Sequence, residues 1–212
     1  MTQLLIIGDV HGKWDAYSKV LEVYQPERSI QIGDFGWGFA GQIHHPDRVA
    51  KLEGDMEDLC GEHRYFRGNH DNPAACAAHE YCLDDTHWEP DTGLMVIAGG
   101  NSIDRAWRTA GVDWWEDEEL SYDQLHEAID LYEERKPRIV LTHDGPEDVI
   151  PYMFPWYRKE FPSRTREALG SMFAIHQPEL WVFGHWHTSH TYHANGTKFV
   201  CLKELEAMMV NL

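Results

Sequence analysis

Short apolar runs rich in β-branched residues alternate along this chain with stretches whose apolar positions recur at helical spacing. The runs at 4–8, 29–33, 64–67, 94–98, 138–142 and 180–183 read as strands. Helical spacing marks 14–23, where Trp14, Tyr17, Val20 and Leu21 share a face, and 47–59, opened by Pro46. A short Ala-rich helix is predicted over 73–82 and a further helix over 163–176. Ser121 and Gln124 form a capping-box signal for a helix through Arg135, closed by Pro137. The last β-rich stretches, 191–193 and 198–202, flank Asn195-Gly196, the strongest short hairpin signal. Strands alternating with helices predict a layered α/β fold, read here as a single domain over 1–212 with no linker or repeat.

Five of these strands exit in the same way. An apolar run gives way to Gly or Thr and then to Asp, Asn or His: Gly8-Asp9-Val10-His11, Gly33-Asp34, Gly68-Asn69-His70-Asp71, Thr142-His143-Asp144 and Gly184-His185-Trp186-His187. The carboxyl ends of strands in a layered α/β fold share one rim, where ligands sit. Five distant segments can therefore aim their side chains at one place. Asp9, His11, Asp34, Asn69, His143, His185 and His187 offer mixed oxygen and imidazole donors, a set that suits Mn, Fe, Zn or Ni. They are too many for one tetrahedral site and suit two ions roughly 3.5–4 Å apart with a bridging carboxylate. Such a pair clamps the attacking and leaving oxygens of a phosphoryl displacement and acidifies the water between them.

Charge narrows the picture. The chain carries 36 acids against 18 Lys and Arg, a net −18, which argues against extended nucleic acid as a partner. Its 42% hydrophobic content and many aromatics argue against disorder. No apolar run approaches the roughly 18 residues of a membrane span, and no secretory signal is visible at the start. Cys60, Cys76, Cys82 and Cys201 form no Cys-x-x-Cys pair and read as reduced thiols, so a cytoplasmic setting is expected.

The five strand exits, in this order from Asp9 to His187, resemble the calcineurin-like metallophosphoesterases. The small bacterial and phage members are similar also at Gly99-Gly100-Asn101-Ser102-Ile103-Asp104, Arg108, Gly111, Trp114-Trp115 and Glu118. The resemblance implies a four-layer α-β-β-α sandwich with a metal site at the C-terminal ends of the strands. Asp9, His11, Asp34 and His187 would hold one divalent ion, and Asp34, Asn69, His143 and His185 the other, with manganese expected first and Fe, Zn or Ni after it. His70 would be the catalytic non-ligand, with Asp71 orienting its ring and raising it toward the protonated form. Asn69 and His70 would also bind substrate. The implied reaction is hydrolysis of small phosphate mono- or diesters, nucleotide-like or phosphorylated small molecules, by a metal-bridging hydroxide assisted by His70.

The chain departs from many relatives after Gly33-Asp34, where Phe35-Gly36-Trp37-Gly38 replaces a second Asp followed by Arg. That Arg touches phosphate in Ser/Thr protein phosphatases, so its absence weakens a phosphoprotein reading. The same motifs also occur in metal-dependent nucleases and in binding scaffolds that have lost their chemistry, and the presence of His70 speaks against the scaffold. Arg67, Arg105 and Arg108 are candidate phosphate clamps. Trp186 reads as core filler, and Trp114-Trp115 as core or as an aromatic wall. Trp37 and Phe39, among Gly36, Gly38 and Gly41, read as a loop near the site. The acid run 116–119 reads either as a solvated turn or as a special feature. His44, His45, His63, His79, His87, His126 and His176 lack partner spacing, whereas His190 and His193 follow the last motif closely enough to reach the site. The loops 36–46, 101–120 and 151–162 are expected to set substrate choice. The last is aromatic-rich (Tyr152, Phe154, Trp156, Tyr157, Phe161) and reads as a lid or dimer contact.

Overall fold

The computed structural model describes residues 3–39, 46–157 and 162–212. Gly41, His44, His45 and Phe161 lie outside the described residues. The first sheet contains β1 (Gln3–Ile7), β2 (Arg28–Ile32), β3 (Glu62–Phe66) and β10 (Ala207–Asn211), in the order β10-β1-β2-β3. The second contains β4 (Thr86–Glu89), β5 (Leu94–Ile97), β6 (Ile139–Thr142), β7 (Leu180–Phe183), β8 (His190–Ala194) and β9 (Thr197–Cys201), in the order β4-β5-β6-β7-β9-β8. β1, β2 and β3 run parallel, as do β5, β6, β7 and β9.

The continuous apolar strands follow from burial on both faces. Leu4, Ile6, Ile30, Ile32 and Phe66 point inward and pack against Val96, Leu141, Val182 and Val200 of the opposing sheet. Leu5, Ile7 and Tyr65 point outward onto α1 (Trp14–Tyr24) and α2 (Pro46–Leu59), through Trp14, Tyr17, Leu21, Leu52 and Met56. On the far side, Val140, Trp181, Phe183 and Phe199 pack beneath α4 (Tyr122–Arg135), α5 (Ile150–Met153) and α6 (Arg164–Ile175). The result is the expected α-β-β-α sandwich.

Local chemistry sets several boundaries. Ser121 accepts from the Gln124 backbone N–H, and the Gln124 side chain accepts from that of Ser121, completing the capping box of α4. Asn195 and Gly196 both take positive φ, as a tight hairpin turn requires. The helix expected over 73–82 stops early, as α3 (Pro73–Ala77). Beyond it the chain serves the edge of β3: Tyr65 N–H donates to the Tyr81 carbonyl (3.0 Å) and Leu83 N–H to the Tyr65 carbonyl (2.7 Å). β4 and β10 lie outside the strands that the apolar runs predict. They are short pieces that become strands by pairing with β5 and β1, where edge groups seek partners. No helix among the described residues is long and apolar enough to cross a membrane.

One of the histidines without partner spacing is a structural residue. His63 is buried, with its Nδ1 2.8 Å from the Tyr17 hydroxyl and 2.9 Å from Ser29 Oγ. Burial pushes its imidazole down to about 3. The unfolded chain therefore takes up a proton below about pH 6.5 that the fold refuses until about pH 3. Its contribution is complete above pH 6.5 and is lost as pH falls through that window, at up to about 1.4 kcal/mol per pH unit. Urea unfolding of chelator-treated protein between pH 7 and 4 should show a shallower loss of stability for His63→Gln than for the parent. Parallel pH slopes would contradict this account.

Candidate metal centre

The C-terminal ends of β1, β2 and β3 meet those of β6 and β7 along one rim. There, ligand atoms of Asp9, His11, Asp34 and His187 lie within 4.8 Å of one another, and so do those of Asp34, His143 and His185. Asp34 belongs to both groups. Its Oδ2 faces His11 Nε2 at 3.7 Å, and its Oδ1 faces His143 Nε2 at 3.2 Å. His187 Nε2 lies 3.1 Å from Asp9 Oδ2. Asn69 Oδ1 completes the second group, 3.0 Å from both His143 Nε2 and His185 Nδ1. Asp9, Asp34, Asn69 and His143 are buried, and His187 opens to solvent.

The backbone is bent to make this possible. His11, Asp34, His185 and His187 all sit at positive φ, between 49° and 67°, where side chains other than Gly are uncommon. Two of the motif glycines are floors for acids from neighbouring loops. A Cβ on Gly68 would overlap the Asp34 carboxylate, and one on Gly184 would overlap that of Asp9.

The donors fit a cation. His11 Nε2 and His187 Nε2 stand 2.8 Å apart, and around them converge carboxylates that can only accept. Burial alone would push Asp34 up, yet His143, His70 and His11 outweigh it and hold its carboxyl well below the usual range. Conversely, burial pulls His143 down while Asp34 and Asp9 lift it to about 10. A hydrogen bond to Asp9 raises His187, against burial. Burial lowers His185, helped by His143. Buried negative charge thus draws positive charge toward Asp9 and Asp34, a field that suits a cation.

Behind the donors lie residues whose part the sequence did not disclose. Asn69 Nδ2 donates to Ser102 Oγ (3.0 Å), which donates to Glu118 Oε2 (2.6 Å), so the amide oxygen is turned toward the histidines. Glu118 is buried, which settles the acid run 116–119 as more than a solvated turn. Asp144 Oδ2 stands 3.8 Å from His185 Nε2 and 3.1 Å from Arg166 Nη1, while Arg166 Nε reaches Glu147 at 3.1 Å. Trp186 stacks on Phe154 as core filler, but its Nε1–H also donates to Asp144 Oδ1 at 2.9 Å. An acid directly after His143 was the available signal for Asp144. Arg166, a buried cation on a helix, gave none.

The remaining predicted residues divide. His70 Nε2 lies 2.6 Å from Arg108 Nη2, its ring stacks on Phe39, and its backbone N–H donates to Asp34 Oδ1 at 2.7 Å. Asp71 does not orient that ring. Its carboxylate accepts from the backbone N–H groups of Phe35, Gly36, Trp37 and Gly68 at 2.7–3.1 Å, and so it staples two loops together. Nor is His70 raised: burial pushes it down to about 4, with Arg108 adding to the shift against the pull of Asp34. Arg67 is no clamp, because Asp85 and the carbonyls of Asp117 and Glu118 occupy its guanidinium. Arg105 is exposed on a 3-10 turn and does not line the cleft. Arg108 does line it, bridging His70 and Asp104. Trp115 meets Phe39 edge-on at 5.9 Å and thereby supports the floor under His70. His190 and His193 lie on β8, outside the cleft. That cleft, about 230 Å³, is based on Asp34, Asn69, His70, His185 and His187, with Ile103, Asp104, Arg108, Trp156 and Trp186 around it.

The sequence model of the calcineurin-like phosphoesterases matches residues 2–189. No curated protein matches the sequence significantly. Solved structures share the fold at low identity. A dimetal phosphatase from Danio rerio superposes with a TM-score of 0.62 at 13% identity, over 96% of this chain and 88% of that one. The phosphopantetheinyl hydrolase of Mycobacterium tuberculosis gives 0.54 at 13% identity, over 96% and 90%. The anchor protein of the Plasmodium inner membrane complex gives 0.53 at 12% identity, over 96% and 72%.

The Asp144 contact carries a consequence for ion affinity. With His185 as a ligand of a divalent cation, Asp144→Asn would be expected to weaken Mn²⁺ binding there by about 10–100-fold in calorimetric titrations, the usual cost of losing a carboxylate that supports such a histidine. Unchanged affinity would show that Asp144 serves Arg166 and Trp186 rather than a cation.

Proposed function

The chain belongs to the calcineurin-like phosphoesterase family, and we propose that it hydrolyses small phosphate mono- or diesters with two divalent cations, manganese foremost. Asp9, His11, Asp34 and His187 would hold one cation, and Asp34, Asn69, His143 and His185 the other. The observation that carries this reading is the division of Asp34, one oxygen toward each group of donors. Bound there, the cations would supply Lewis-acid charge to phosphoryl oxygens and make water a usable nucleophile at neutral pH.

The chain's own residues supply position and polarity. Arg108, held by Asp104, presents its guanidinium beside His70 and would bind a phosphoryl oxygen. His70, fixed by Phe39 and by its backbone bond to Asp34, would face the leaving oxygen as a neutral hydrogen-bond donor. Asn69 would serve both cation and substrate. Asp71 acts on none of these directly, but holds the loops of Asp34 and His70 at a fixed spacing. The acidic surface and a cleft with one arginine among its described residues favour small esters over nucleic acid or phosphoprotein. We read the whole chain as one such domain, working in the cytoplasm.

Purified protein of measured metal content should hydrolyse p-nitrophenyl phosphate or its bis-ester with Mn²⁺, stop on chelation and recover on readdition. Asp34→Ala should lower kcat/KM at least about 100-fold. Inactivity of the parent on these esters and on a nucleotide panel, or full activity of Asp34→Ala, would refute the proposal.

A further inference from the structure

We infer that the cleft selects a single phosphate group carried on an apolar, ring-bearing alcohol, gripped between Trp156 and Ile103. The inference rests on the phosphoesterase reading and names its substrate class.

Trp156 is 63% exposed and Ile103 54%, yet both line the cleft that holds His70 and Arg108. Trp156 is not a loosely tethered side chain. Its ring lies 5.5 Å from that of Trp186 and 5.7 Å from that of Phe154, and these two stack at 4.6 Å and 7° with Phe154 fully buried. An aromatic ring standing on a packed aromatic base, with its outer face free, offers apolar area at little entropic cost. The Ile103 segment is pinned as well, since Asp104, next to it, pairs with Arg108 at 2.8 Å.

Charge and size point the same way. Among the described lining residues Arg108 is the one Lys or Arg, and Asp104 already pairs with it, so these residues offer one phosphate-binding cation. Neither Trp156 nor Ile103 offers a hydroxyl or amide for a polyol. At about 230 Å³ the space lies below the roughly 300–1,000 Å³ of drug-sized pockets and suits one ring beside the phosphoryl group.

The test is calorimetric binding of benzylphosphonate and methylphosphonate to Mn²⁺-loaded protein, which removes leaving-group reactivity from the comparison. The parent should bind the benzyl compound at least about tenfold more tightly. Trp156→Ala should cut that ratio to about threefold or less, and Trp156→Phe should keep it. Equal affinities in the parent, or an undiminished ratio in a folded Trp156→Ala, would overturn the inference. Turnover of phosphate esters without a benzyl preference would reject this inference and leave the hydrolase reading intact. A benzyl preference without turnover of any ester would do the reverse.

Discussion

A buried carboxylate shared between two sheets is the constraint around which this molecule is arranged. Asp34 leaves β2 at a φ of 56° and is 1% exposed. An isolated carboxylate in that position would be strongly disfavoured. It is tolerated because partners arrive from both sheets: the His70 backbone N–H and His11 from the first, His143 from the second. Glycine at position 68 leaves the room. The inter-sheet core of Leu4, Ile6, Ile32, Leu141 and Val182 holds the two rims at the spacing these contacts need. Packing, backbone strain and electrostatics thus converge on one side chain.

The same arrangement explains how an acidic protein can be directed at anions. Almost all of its 36 acids lie away from the cleft or are used by local partners. Asp71 is covered by four backbone N–H groups, Asp85 by Arg67, and Asp144 by Arg166, Trp186 and Gly145. What remains at the rim is a nest of histidines over two carboxylates, whose balance is set by any cation they hold. On the function proposed, the acidic surface would repel long polyanions while the cleft would admit a small one.

Much of this was legible in the chain because strand exits have a strong signature. Apolar runs ending in Gly or Thr and then Asp, Asn or His mark both the strand and the direction in which its last side chain points, so the meeting of the seven donors could be read from the residues alone. Other features were not legible, for separate physical reasons. β4 and β10 exist through pairing with distant strands, which local propensity does not encode. Asp71, next to His70 in sequence, turns away to bind backbone amides from the 35–37 loop, and nothing local announces a partner 36 residues away. Arg67 follows a strand like a phosphate clamp, but its guanidinium meets Asp85 first. Glu118 and Arg166 take their meaning only from Ser102 and Asp144, which the fold alone brings beside them.

In the function proposed, Asp34 would join two cations into one centre. Electron paramagnetic resonance of protein loaded with two equivalents of Mn²⁺ tests it most directly. The account predicts the spectrum of a spin-coupled pair in the parent, replaced in Asp34→Ala by uncoupled single-ion signals. A parent spectrum of isolated Mn²⁺ ions only, or coupling that survives the loss of Asp34, would contradict it.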